Sequence, residues 1–143
     1  MQETGFLNSG VPTAFMLFGA FVFFFIFLPI KLTKRKAQKI INRTSGELIE
    51  LGKKVLVVSS GYIPGKEITH VIGHVTGTSR IEASCPEQAD AAEREAKLDL
   101  MKTAMNMGAN AIIDAKMTSS SHQQQGSQWM VSKTYYTGTA VII

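Results

Sequence analysis

The sequence predicts an α+β protein, a small β-α-β-β domain with its helix packed on an antiparallel sheet, behind a single N-terminal transmembrane helix. Three observations predict it. The first 30 of 143 residues hold all eight Phe and one charge, Glu3, and the run from Thr4 to Ile30 is uncharged. A stretch of helical period opens at Ser84-Cys85-Pro86-Glu87 and closes at Gly108. Runs rich in β-branched residues flank it on both sides. The chain then divides into an N-terminal flank (1–10), a transmembrane helix (11–30), a basic juxtamembrane linker (31–52) and one domain (53–143). About 110 residues beyond the anchor suffice for one small domain and not for two.

As a helix, Val11–Ile30 (VPTAFMLFGAFVFFFIFLPI) covers about 30 Å, the thickness of a bilayer's hydrocarbon core. A cleaved signal peptide needs a basic start, a shorter apolar run and a small-residue cleavage site. Met1–Gly10 has no Lys or Arg, and Leu28-Pro29-Ile30-Lys31 offers no such site, so the anchor reads as permanent. Phe15 and Phe23 lie four residues either side of Gly19, which excludes the small-residue motif of paired membrane helices.

Lys31, Lys34, Arg35, Lys36, Lys39 and Arg43 follow the span directly. The positive-inside bias then places the N-terminus outside and the C-terminal domain in the cytoplasm, with this cluster against anionic lipid. Residues 31–54 carry eight basic side chains against Glu47 and Glu50, a local charge of +6, whereas residues 55–143 sum to −1. The basic balance thus belongs to the juxtamembrane stretch, and no positive face for a nucleic acid is left on the domain. Residues 31–52 continue as helix or linker; Thr44-Ser45-Gly46 interrupts any single amphipathic face there, and Ser45 could cap a short helix from Gly46 to Leu51.

In the domain, Val55–Val58 reads as a lead-in strand and Tyr62-Ile63-Pro64-Gly65 as a turn. Ile68–Thr78 is the first main strand, its Gly73 and Gly77 marking a bulge or a close backbone approach. Ser84 and Glu87 form a capping box for a helix running to about Met107. Its stripe, Ala89, Ala92, Ala96, Leu100, Ala104 and Met107, is mostly Ala and so lies close on a sheet; Leu98, Met101 and Met105 form an adjoining stripe for a second surface. Gly108 is the natural C-terminal cap. Ala111–Met117 alternates, with Asp114 and Lys116 outward; Ser119–Gly126 is a polar hairpin loop, and Trp129–Ile143 the last strand, apolar on both faces.

Ile63-Pro64-Gly65 with Ile68, then Ile72-Gly73-His74-Val75-Thr76-Gly77, resembles the opening of the YbjQ family of putative heavy-metal-binding domains. Met107-Gly108-Ala109-Asn110-Ala111-Ile112-Ile113, Met130-Val131-Ser132 and Thr137-Gly138-Thr139-Ala140-Val141 are similar to its later motifs. A fainter similarity is to the domain of the Rcs-pathway envelope stress sensor lipoproteins. The resemblance covers about residues 53–143 and implies a dodecin-like subunit assembled into a pentameric ring. The chain departs from that family in its short Ser79–Pro86 link, where members carry a Gly-rich insert, and in the added membrane span.

The residues themselves assign no metal, cofactor or catalytic site. On a strand, His70 and His74 stand about 13 Å apart, too far to share an ion. Cys85, the only cysteine, has no marked base for nucleophilic chemistry and no partner for an intrachain disulfide. Gly73 and Gly77 lack the Lys-Ser/Thr of a phosphate loop. The sequence therefore points to a non-enzymatic, membrane-anchored, homo-oligomeric scaffold or interaction module, open to an unidentified protein partner. A ligand- or metal-responsive sensor is the alternative, and a Cys85 thiol enzyme a third.

Overall fold

The computed structural model describes residues 35–123, 126 and 130–143. The expected span at 11–30, with Lys31 and Lys34, lies outside the described residues. Among the described residues no helix is long and apolar enough to cross a membrane. Lys36–Ile143 forms one compact unit. It contains helix α1 (35–52), strand β1 (Leu56–Val57), strand β2 (His70–Ala83), helix α2 (Pro86–Asn106), strand β3 (Ala111–Gln123) and strand β4 (Met130–Ile142). The sheet has the order β1-β3-β4-β2, with β1 parallel to β3 and the other pairs antiparallel. The α+β class and the β-α-β-β core stand, and the lead-in strand expected at Val55–Val58 is β1, paired parallel to β3; α1 is added to them.

α1 corrects the reading of 31–52. The helix runs unbroken through Thr44-Ser45-Gly46, and the compact unit begins at Lys36 instead of after residue 52. Both hydroxyls bond back into the helix: Thr44 Oγ1 donates to the Ile40 carbonyl at 2.8 Å and Ser45 Oγ to that of Ile41 at 2.7 Å. Ser45 is thus no cap. With its hydroxyl satisfied, Thr44 can be fully buried, and Ala37, Thr44 and Leu51, spaced by seven, make the apolar face that the polar letters concealed. Leu48 and Leu51 pack into the core beside Leu98 and Met101, so the adjoining stripe of α2 does meet a second surface; its expected member Met105 is exposed instead.

The main core lies between the helices and one sheet face, around Leu100, Ile112, Val75, Val55 and Ala140. The other face carries a smaller core, Ile63, Ala111, Ile113 and Val141, covered by the segment after β1 through Val58 and Ile68. The start of β3 is therefore buried on both sides, and Ile112 is as inaccessible as Ala111. The expected alternation fails further on as well. Asp114 takes φ +54° at a bulge between Ile113 and Lys116, and its amide donates to the Ser60 carbonyl at 3.0 Å.

β2 continues past Thr78 to Ala83, which absorbs most of the supposed short link. Gly73 (φ +153°) sits at a bulge, and Gly77 is where α2 touches the sheet: a Cβ there would collide with the Ala96 carbonyl oxygen and the Leu100 amide nitrogen. Both glycine expectations hold, one of each kind. The Ala stripe is buried at Ala92, Ala96, Leu100 and Ala104; its expected ends, Ala89 and Met107, are exposed.

The N-terminus of α2 differs from the expected capping box. Cys85 is the N-cap and makes no side-chain cap hydrogen bond. Gln88, one position beyond Glu87, reaches back, its Oε1 accepting from the Ser84 amide at 2.8 Å and the Ser84 hydroxyl at 2.9 Å. At the other end Gly108 (φ +86°) donates to Met105 and Ala109 donates to Ala104, both at 3.0 Å, a complete Schellman arrangement. The polar run placed in a hairpin loop is strand through Gln123, paired from Ser119↔Thr134 to Gln123↔Met130. Backbone pairing there proceeds without any apolar side chain in Ser119–Gln123 to announce it.

Candidate functional site

Of the basic cluster, Arg35, Lys36, Lys39 and Arg43 fall on α1 and are exposed. Lys36, Lys39 and Arg43 are spaced by three and four, which puts them in one stripe of the helix surface. The stripe ends in a charge relay to the domain. Arg43 Nε lies 3.9 Å from Glu47, and Lys102 Nζ on α2 lies 2.5 Å from the other oxygen of that carboxylate. The hydrogen bond from Lys102 holds the Glu47 carboxyl below its ordinary range, aided by the charges of Lys102 and Arg43 and opposed by partial desolvation. Arg94 adds a bond to Ser45 Oγ at 3.0 Å, so α2 grips α1 at two points.

A second polar cluster holds the far half of β2 under α2. Thr78 N donates to Asp99 Oδ2 at 2.9 Å, and Glu95 Oε2 accepts from Arg80 N at 2.9 Å and from the buried Ser79 hydroxyl at 3.0 Å. Ser79 Oγ in turn accepts from Ile81 N at 2.9 Å. These are the backbone groups left over where β2 slips register against β4 between Thr78 and Glu82. Sequence reasoning missed both acids as functional groups of the fold; their only signal is the spacing of four that puts Glu95 and Asp99 on one side of α2. It also missed Tyr136, whose hydroxyl donates to Glu93 Oε1 at 3.1 Å. Burial first, then the Glu93 charge and that bond, push the Tyr136 phenol up to about 12.

The chemistry-bearing side chains do not converge. His70 and His74 are both exposed on β2 with the Gly73 bulge between them, and His74 Nε2 has Thr76 Oγ1 at 3.3 Å. His122 lies on the β3 hairpin, 3.8 Å from the Glu82 carboxylate. Cys85 is half-buried in an open pocket of about 310 Å³ shared with Ser84, Pro86, Ala89, Ser121 and Met130, with no acid or imidazole among its lining residues.

Residues 83–143 match the YbjQ_1 family model, described as putative heavy-metal-binding. This bears out the resemblance read from the motifs over that stretch. The chain is also similar to the crystal structure of a protein with unknown function, belonging to the DUF74 family, from Pediococcus pentosaceus ATCC 25745. That comparison covers 62% of this chain and 97% of the other at 21% identity, with a TM-score of 0.50, and it supports the fold alone. No curated protein matches the chain.

The family description invites a test of the donors. Among the described residues no group of three or more His, Cys, Asp or Glu side chains comes together to hold a metal ion. A soft or borderline metal takes three or four N and S ligands at short range. Cys85, His122, His70 and His74 sit at separate places on the unit, so one copy of the described domain does not fit a heavy-metal centre.

Proposed function

We propose that this chain is a non-enzymatic module held at the membrane by its apolar N-terminal run, with the domain on the cytoplasmic side, where copies assemble with one another and present a binding surface to a protein partner. The observation that carries the reading is the two-sided character of α1. On one side Ala37, Thr44 and Leu51 are buried, with Leu48 and Leu51 packed into the core of the domain; another side, Lys36, Lys39 and Arg43, is an exposed basic stripe close behind the uncharged run ending at Ile30. Each basic residue near an anionic surface contributes about 1 kcal/mol. Five copies is the number implied by the family resemblance.

The test uses the full-length chain in its native membrane. Carbonate extraction should leave it in the pellet, protease added on the cytoplasmic side should cut the domain, and the detergent-solubilised protein should have the mass of a discrete oligomer. Release by carbonate, or protection of the domain from that side, would overturn the placement, and a single-copy mass would overturn assembly. A second reading, a metal-responsive module, is favoured by the description of the matched family. Since no donor set comes together among the described residues of one copy, this reading draws donors from several copies, and metal analysis of protein purified without chelator tests it: stoichiometric metal would support it, and its absence from an intact oligomer would remove it.

A further inference from the structure

The sheet is shielded along half of each side and open along the other half. Among the described strands β2 is an edge strand, paired with β4 alone. Its Thr78 and Arg80 amides are taken by Asp99 and Glu95, so that half cannot accept another strand. Among the described residues the half from His70 to Gly77 has no such cover; it contains neither Pro nor Lys to blunt it, and leaves Val71 58% exposed. Its bulge between Val71 and Gly73 bends the first residues, which centres any pairing on His74–Gly77. On the opposite side of the sheet the first half of β3 is covered by β1 and the residues after it, through Val58 N to Ile112 O at 2.9 Å and Ala115 N to Val58 O at 3.0 Å. From Lys116 to Gln123, β3 pairs with β4 and with no other described strand, and Met117 stands 51% exposed there.

Each open half is a row of backbone donors and acceptors seeking a strand, and one chain offers both rows on opposite sides of one sheet. A second copy therefore supplies what each row lacks. Resting on the self-assembly proposed above, we infer that copies join head to tail, the His74–Gly77 edge of one against the Lys116–Gln123 edge of the next, so that the sheet continues from copy to copy. β2 and β3 both run antiparallel to β4, and in a continuous sheet the joining strands run parallel. The two open halves lie at opposite ends of the strands, which staggers each step in the manner of a tilted barrel. A head-to-tail contact of this kind closes into a ring, whereas a two-fold contact would pair β2 with β2.

The test is cysteine cross-linking of the full-length protein in detergent, in a Cys85→Ser background, with the native mass measured on the same preparation. Thr76→Cys is combined in turn with Thr118→Cys and Ser120→Cys, positions that the strand register places on one sheet face. Mild oxidation of a double variant should give a ladder of cross-linked species up to the native oligomer, one β3 position strongly favoured, and neither single variant should cross-link. Dimers from Thr76→Cys alone would replace the inference with a two-fold contact. No ladder from either pair, in protein whose native mass is a discrete oligomer, would overturn this edge assignment while leaving self-assembly standing. A single-copy native mass would remove both.

Discussion

Beneath α2 and the segment after β1, β3 and β4 carry Ala111, Ile112, Ile113, Ala140 and Val141, all buried, whereas beyond Asp114 the same hairpin carries Ser119, Ser120, Ser121, His122 and Gln123, all exposed. The two regions share their strands and their ladder and differ in what lies over them. Near the helices, backbone and side chain act together, down to Gly77, where no Cβ fits. Toward the tip, pairing with β4 alone keeps the strand extended. One hairpin can therefore hold the fold at one end and remain available at the other.

The comparison breaks most completely where α2 meets the sheet. Ala96→Arg should abolish folding, since Ala96 is fully buried against the Gly77 backbone, and Gly77→Val should cost about 3 kcal/mol or more by overpacking. Circular dichroism with urea titration checks both; a folded Ala96→Arg protein of unchanged stability would refute the close-packed helix. Next in size is Glu95→Ala, expected to cost about 2 kcal/mol because the buried Ser79 hydroxyl and the Arg80 amide lose their acceptor. Urea midpoints should place it clearly below Asp90→Ala, an exposed change on the same helix.

A smaller effect sharpens the comparison through pH. The Tyr136 phenol is raised in the folded state to about 12, so the neutral form is the one the fold favours. Its contribution is therefore fully present below the free phenol value near 10 and is lost as pH rises from about 10 toward 12. Thermal midpoints between pH 9 and 11.5 should fall more steeply for the parent chain than for Tyr136→Phe; parallel slopes would mean that burial and Glu93 do not raise the phenol in the folded state. The smallest effect is at the tip, where Ser120→Ala should move stability by no more than about 0.5 kcal/mol. A loss of several times that would show that the distal hairpin supports the core after all.

Much of the fold was legible because it is written in local spacing. The α2 stripe at Ala92, Ala96, Leu100 and Ala104, the Gly108 stop and the Ile63-Pro64-Gly65 turn all follow from period, capping and backbone freedom, which neighbouring residues settle. Legibility failed where a polar residue had a partner far away in sequence or back in its own helix. Thr44 and Ser45 read as a break because a free hydroxyl disfavours burial, yet each bonds a carbonyl three or four residues earlier. Ser119–Gln123 read as loop because its letters are polar, yet β4 supplies the ladder. The candidate site fared in the same way: the exposed basic stripe was visible as composition, whereas Glu47–Lys102 joins positions 55 apart in sequence.

By itself, then, the sequence determined the α+β class, the central helix with its Ala face, and the concentration of net positive charge in residues 31–54. These depend on short-range periodicity and on counting. Only the tertiary structure decided that α1 belongs to the compact unit, that Asp99 and Glu95 close half of the β2 edge, and that the other half and the distal half of β3 stay open. An edge is open or closed according to which distant groups reach its amides, and no local pattern of residues records that.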